Sequence, residues 1–483
     1  MWASIPRSVA AGFAQTSSLR GAWIFAATFV VAACGSRTAL IVPPTAAAAI
    51  DGGVDTGVDA ERPVDAGSDG STRVDGGVDS GFDAGTDAGF DAGFDAGFDA
   101  GFDAGFDAGF DAGFDAGTCV PAWDPPTTYA FGPPLSLHPT WVATADFDGD
   151  GDVDFGATGA QDNLVYVYLN HGDGTFAAGI TSPSGPWPER MVTADFDRDG
   201  HLDLAITNAQ PPCGAPCCGS DCNGSVALLH GRGDGTFASP SFMTTGGMDP
   251  FNIAATDLDR DGDIDVLTVN RTGGSVAVLR NRGDRTFAPV DLTPASGAST
   301  LTLGDLDGDG TQDVIVGAYS PSGTMVYTYI VSGGALLPRT EYPYSVMRVR
   351  GGAPEMVAGD LDATGRVSVA TMGGIVFPND GRGGLLAPID YGLPGGYGGI
   401  VAADVDHDGS LDLVQAMQFG PVPLRESVGI AFNDGHAAFT IPPTMLYDFS
   451  LVDVTAADMN RDRIADFAVG NTGWVSVILS RCR

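Results

Sequence analysis

The chain has 483 residues, with 61 acidic side chains against 23 basic ones and a formal net charge of −38. Every basic residue is an arginine. Nucleic acids and anionic membranes are excluded as partners, because both are held by positive surfaces; a soluble, cation-rich extracellular setting is favoured.

Residues Gly21 to Ala33 form an apolar run after Arg7 and Arg20, ending in Val31-Ala-Ala-Cys34-Gly35. The run is shorter than the roughly 20 residues that cross a bilayer, so residues 1–33 read as a secretory signal. The Val-Ala-Ala-Cys ending resembles the bacterial lipobox. That resemblance implies lipidation of Cys34 as the first mature residue and, with Gly35 behind it, anchoring at the outer membrane or cell surface. From 34 to 118 the chain is mostly Gly, Ala, Asp and Pro, with an aspartate at every fourth position from Asp75 to Asp115. A glycine in each Phe-Asp-Ala-Gly unit costs a helix about 1 kcal/mol relative to alanine, and like charges four apart repel. The segment cannot bury a core and is expected to be a disordered, acidic linker. A calcium-binding β-helix would need a Gly-Gly-x-Gly-x-Asp pattern, which is missing.

Beyond the linker one acidic phrase recurs seven times, beginning at Asp146, Asp195, Asp257, Asp305, Asp360, Asp404 and Asp458. A repeat of this length points to propeller blades, none able to bury its apolar face alone. In each complete copy carboxylates stand at positions 1, 3, 5 and 9, and a glycine at position 6 allows a turn at positive φ. Calcium takes six to eight oxygens at about 2.3–2.6 Å, and such a loop supplies them. The metal candidates are Asp146, Asp148, Asp150 and Asp154, with Asp152 at the position that offers a backbone carbonyl; Asp195, Asp197, Asp199 and Asp203; Asp257, Asp259, Asp261 and Asp265; Asp305, Asp307, Asp309 and Asp313; and Asp404, Asp406, Asp408 and Asp412. Two copies have drifted. The fifth carries Thr364 and Ser368 in place of two carboxylates, and the seventh carries Asn460 and, at the glycine position, Arg463. The fifth is therefore expected to bind calcium weakly. An EF-hand is rejected, since the flanks are β-type and no Glu recurs at position 12.

A second phrase follows the loops: Asn170-His-Gly-Asp-Gly-Thr-Phe176, Gly231-Arg-Gly-Asp-Gly-Thr-Phe237 and Asn281-Arg-Gly-Asp-Arg-Thr-Phe287, with weaker forms ending at Leu385 and Phe439. Together these residues resemble the FG-GAP/VCBS repeat family, known from integrin α-subunit propellers and many bacterial surface proteins. The resemblance covers 119–483 and implies an all-β, seven-bladed β-propeller with Ca2+ in its Asp-rich loops. In the first blade the expected strands are Trp141–Phe147, Val153–Thr158, Leu164–Leu169 and Thr175–Thr181. The seventh blade lacks an outer strand after Trp474–Leu479, and Thr128–Phe131 is placed to supply it, closing the ring and removing two open sheet edges. Cys119 and Cys482 flank these strands and are expected to form a disulfide. Cys213, Cys217, Cys218 and Cys222 cluster in one insertion, where disulfides are favoured over zinc.

Calcium loops and Gly-Asp-Gly turns fall on one face, leaving the other connections for a ligand: Pro183 to Pro188, the Cys213–Cys222 insertion, Gly246 to Pro250, Tyr342 to Tyr344, Gly395 to Gly398 and Gln418 to Pro423. Aromatics framed by Gly and Pro suit protein or carbohydrate recognition. The Arg-Gly-Asp strings at Arg232 and Arg282 belong to the tight turn. No Gly-x-Ser-x-Gly elbow, His-Glu-x-x-His or phosphate loop occurs, so no catalytic residue is assigned and the chain is read as a non-enzyme. The expectation is a monomeric, calcium-binding surface lipoprotein used in binding or adhesion. The alternatives are a dedicated sugar-binding propeller, or a hydrolase or lyase acting on extracellular polysaccharide.

Overall fold

The computed structural model describes residues 120–131, 141–209, 224–320, 323–345, 354–393, 398–419, 425–440, 445–447 and 451–482. The signal, the linker, Cys34, Cys119, the Cys213–Cys222 insertion and Tyr397 lie outside them. All regular elements among the described residues are strands.

The strands form seven antiparallel blades. Blade 1 is Val142–Ala145, Asp154–Gly159, Leu164–Tyr168 and Ile180–Pro183, hydrogen-bonded in that order. The first strands of the other six are Pro188–Ala194, Pro250–Thr256, Ala298–Gly304, Met356–Gly359, Ile400–Ala403 and Asp453–Ala457. Each first strand neighbours the next, and the seventh returns to the first. At that return Val142 N donates to Asp453 Oδ2 at 3.2 Å, and the Thr144 and Thr455 hydroxyls meet at 3.1 Å.

Alternation along the strands explains the packing. Successive side chains point to opposite faces, and in a blade both faces meet a neighbour. Ala143 and Ala145 pack toward Met191 and Leu204 of blade 2, whereas Val142 packs toward Ala468 and Val475 of blade 7. The core is accordingly seven apolar clusters, one at each blade-to-blade interface. Small residues such as Ala143, Ala194, Ala254 and Ala402, all buried, suit the first strands, where seven backbones converge on the axis.

The ring closes by strand exchange, as the sequence suggested. Thr127–Ala130 pairs with the third strand of blade 7, Trp474–Ile478, in the register Thr127↔Val477 and Ala130↔Trp474. Tyr129 of this strand meets Phe155, Tyr168 and Phe176 edge-on, with centroids 5.6, 5.8 and 5.4 Å away. A further two-stranded ribbon joins Pro121–Trp123 to Ser480–Cys482, and Cys482 is disulfide-bonded.

Two expected boundaries are corrected. The outer strand of blade 1 begins at Ile180; Thr175 and Phe176 belong to the preceding turn, where Phe176 bridges back to Asn170. Tyr342 and Tyr344 lie in the outer strand of blade 4, Thr340–Tyr344, and not in a connection. Pro343 is tolerated there because an outer strand has one edge that needs no ladder bond.

Candidate metal centres

Each acidic loop is wound around its own first aspartate. Asp146 Oδ1 accepts from Gly149 N at 2.7 Å and Asp150 N at 3.2 Å, and Oδ2 accepts from Gly151 N at 2.9 Å. Asp195, Asp257, Asp305, Asp360, Asp404 and Asp458 repeat the bonds to the fifth and sixth residues of their loops. The sixth residue is left-handed, at φ 86° for Gly151 and 89° for Gly262, which is why glycine stands there. Arg463 adopts the same region at φ 68° in the seventh loop. Position 5 then accepts from the N–H of position 7, as Asp150 does from Asp152 at 2.8 Å.

The ninth residue has a role that sequence spacing does not reveal. Asp154 Oδ2 accepts from Phe147 N at 2.8 Å and Oδ1 from Asn170 N at 2.7 Å, so one buried carboxylate ties the loop's start to the end of the third strand. Asp203, Asp265, Asp313, Asp412 and Asp466 hold the equivalent pairs of N–H groups. Burial, outweighing those bonds, pushes Asp154, Asp412 and Asp466 up to about 8, Asp265 to about 7, and Asp203 and Asp313 to about 6.

Three of the expected carboxylates converge in each of four loops. Carboxylate oxygens of Asp146, Asp148 and Asp154 lie within 4.8 Å of one another, as do those of Asp305, Asp307 and Asp313, of Asp195, Asp197 and Asp199, and of Asp257, Asp259 and Asp261. In the sixth loop Asp406 Oδ1 is buried with no hydrogen-bond partner, and burial followed by the charges of Asp408 and Asp404 raises its pKa. A cation among these oxygens would relieve both the missing bond and the repulsion, and an all-oxygen donor set fits calcium. The side chain of Asp152 turns away to Arg461 Nε of blade 7, at 2.5 Å, leaving only its carbonyl for the loop. In the fifth loop the Thr364 hydroxyl donates to Asp362 at 2.6 Å, so its reduced charge is partly satisfied from within.

Sequence reasoning missed several residues. Arginines at position 4 reach the neighbouring loop: Arg198 Nε donates to Gly262 O at 3.0 Å, and Arg260 pairs with Asp309 Oδ1 at 3.3 Å. Asparagines of the Gly-Asp turns lock adjacent blades, since Asn170 donates to Met459 O at 2.7 Å and Asn281 to Phe196 O at 2.7 Å. At the opposite ends of the first strands Arg190 Nη2 meets Glu355 Oε1 across the axis at 3.1 Å, with side chains 0% and 1% exposed. Arg190 lies over Trp141 at 4.5 Å, and Trp141 Nε1 donates to Glu189 Oε2 at 3.3 Å. A bulge between Pro188 and Met191 sets Glu189 and Arg190 in this position. No motif flags these residues; the only signal was charge at the start of otherwise apolar strands.

The Arg-Gly-Asp strings sit in tight turns as expected. Asp234 Oδ1 accepts from Thr236 N at 2.9 Å and Thr236 Oγ1 at 2.5 Å.

Comparison with known proteins agrees with this architecture. The model of the FG-GAP-like repeat matches residues 146–206, 217–268 and 257–316. No protein of curated function matches. Among solved structures, a lectin from Burkholderia pseudomallei is 14% identical over 71% of this chain and 95% of its own, with a TM-score of 0.51. A periplasmic gluconolactonase from Pseudomonas aeruginosa is 16% identical over 62% and 83%, at 0.42. A putative 6-phosphogluconolactonase from Bacteroides fragilis is 13% identical over 70% and 89%, also at 0.42. At 14% identity the likeness to the lectin concerns the fold alone.

Proposed function

Because the chain carries FG-GAP-like repeats and closes as a seven-bladed propeller, we propose that it is a calcium-loaded binding protein held at the cell surface. One observation carries the calcium assignment. In blades 1 and 4 the carboxylates at positions 1, 3 and 9 lie within 4.8 Å of one another, in blade 6 the charges of Asp406 and Asp404 add to burial in raising Asp412, and among the described residues no arginine pairs with any of these nine. The ion supplies charge neutralisation; the chain supplies the oxygens and the backbone bonds that hold them in place. Anchoring through Cys34 and the linker would carry the propeller away from the membrane.

Ligand binding is assigned to the face opposite the loops. Tyr319, 50% exposed, and Met248, 40% exposed, stand there at strand ends and connections. Exposed aromatic and apolar groups on a rigid ring suit a protein or carbohydrate partner. The hydrolase reading has carboxylates at the axis, but Glu355 is committed to Arg190. The test is capture of cell-surface polymers and glycans by the full chain, with and without calcium. Capture that needs calcium and is lost in Tyr319→Ala supports the proposal; glycan capture alone selects the sugar-binding form. Turnover of lactones or polysaccharides would overturn the non-enzymatic reading.

A further inference from the structure

The residue just before the one whose N–H meets the ninth aspartate, at the end of the third strand or directly after it, stands beside the acidic loop, and it differs between blades. Blades 1, 4, 6 and 7 have Leu169, Ile330, Phe432 and Leu479, and blade 5 has Pro378. Blade 3 has Arg280 instead. Its Nη1 lies 3.2 Å from Asp259 Oδ2 and 3.4 Å from Asp265 Oδ2, the third and ninth residues of the loop. Blade 2 has His230. Its Nδ1 lies 2.9 Å from Asp197 Oδ2 and 3.2 Å from Asp203 Oδ2, again the third and ninth residues. The fold thus puts a nitrogen at the same point of both loops. In blade 3 it belongs to a guanidinium, which carries the charge a metal would bring and has no lone pair to give. In blade 2 it belongs to an imidazole, which in its neutral form is a metal ligand.

The blade 2 donors are compact and sheltered. The ligand atoms of Asp197, Asp203 and His230 lie within 4.8 Å of one another, and their side chains are 0%, 0% and 19% exposed. Hard calcium prefers oxygen throughout, whereas imidazole raises affinity for the first-row divalent ions. We propose that blade 2 is a mixed nitrogen–oxygen site for a first-row transition-metal dication, held by His230, Asp197 and Asp203, beside the all-oxygen calcium loops of blades 1, 4 and 6. This rests on the reading of the loops as cation sites. Arg285 competes with the ion: its Nη2 reaches Asp197 Oδ2 at 2.7 Å and Asp199 Oδ2 at 3.5 Å, from a side chain 58% exposed. Arg285 stands where the turns of blades 1 and 2 have Gly174 and Gly235, and it shares their left-handed backbone at φ 67°.

The test uses the untagged full chain, stripped by chelator and refilled with cobalt(II) under a large excess of calcium. The expected result is one cobalt retained per chain, with a visible ligand-field band. His230→Leu, which installs the residue of blades 1 and 7, should lose that cobalt at least tenfold in affinity while keeping its calcium content and melting temperature. Arg285→Gly should tighten cobalt several-fold. No cobalt retained by the parent, or the same cobalt retained by His230→Leu, overturns the proposal. Absence of calcium from blades 1, 4 and 6, with cobalt still lost in His230→Leu, would defeat the calcium reading and leave this one standing.

Discussion

At one end of the first strands, Arg190 and Glu355 meet at 3.1 Å in full burial. At the other end, about 16 Å along the same strands by extended-chain geometry, the carboxylates at positions 1, 3 and 9 of blades 1 and 4 crowd together, and among the described residues no arginine pairs with them. Both ends bury charge, and burial of an unpaired charge is costly. The axial end carries its own counter-ion in the chain. The loop end leaves the counter-ion to solution, and blade 3 stands between the two, with Arg280 folded into an otherwise complete loop. The lesson is that a loop complete in sequence can still be filled from within, so loop count and metal count need not agree.

The largest effect should come from removing the metal. A site held at a hundredfold excess of calcium over its dissociation constant adds about 2.7 kcal/mol, so three such sites make chelation a drop of many degrees in Tm, measured by thermal unfolding and reversed by calcium. An unchanged melt would reduce the loop end to ordinary turns. The stripped protein should also respond to pH. Burial raises Asp154 and Asp412, both in loops assigned calcium, from the usual 3.8 to about 8, so the folded state without metal holds more protons than the unfolded one across that window. Their stabilising contribution is full below the lower value and lost as pH rises through the upper one. Tm of the chelated chain should therefore fall between about pH 5 and pH 8.5, while the loaded chain changes little.

Next in size is the axial pair. Arg190→Met leaves Glu355 buried without its partner and should cost about 3–5 kcal/mol in the denaturant midpoint with calcium present. Arg190→Met with Glu355→Leu should recover most of that loss; if the double variant is no better than the single, the axial end is not a charge pair. Asn170→Ala removes the bonds to Val153 O and Met459 O and should cost about 1–3 kcal/mol, placing the blade lock below both charged ends. The smallest change is a gain. Arg463→Gly relieves a left-handed arginine and should add up to about 1 kcal/mol, with calcium content unchanged.

The repeat made the architecture legible. Loops at Asp146 through Asp458 marked each turn from first to second strand, and the unpaired Trp474 strand pointed to Thr128–Phe131 as its partner, one residue off the Thr127–Ala130 that pairs with it. The convergence of three carboxylates in each of four loops was legible too, because local spacing sets which of them meet. What escaped depends on contacts between distant segments. His230 and Arg280 enter their loops from the third strand, and Arg285 crosses from blade 3 to blade 2. Arg190 and Glu355 are partners only because the ring brings blades 2 and 5 to one axis. The strand at Tyr342 was hidden by Pro343, whose edge position shows only in the folded sheet.

Closure by Thr127–Ala130 also orders events in time. During synthesis at roughly 5–20 residues per second, this strand emerges on the order of tens of seconds before Trp474–Val477, its partner. Blades 1 to 6 can assemble while it waits, but the seventh cannot be completed until the last strands appear, so the final step joins segments from opposite ends of the propeller and should be slow. Until then its ladder edge is open to any matching strand, and the best match in a crowded compartment is the seventh blade of another copy. An exchanged dimer, each ring closed by the other's strand, is the misassembly this design invites at high concentration.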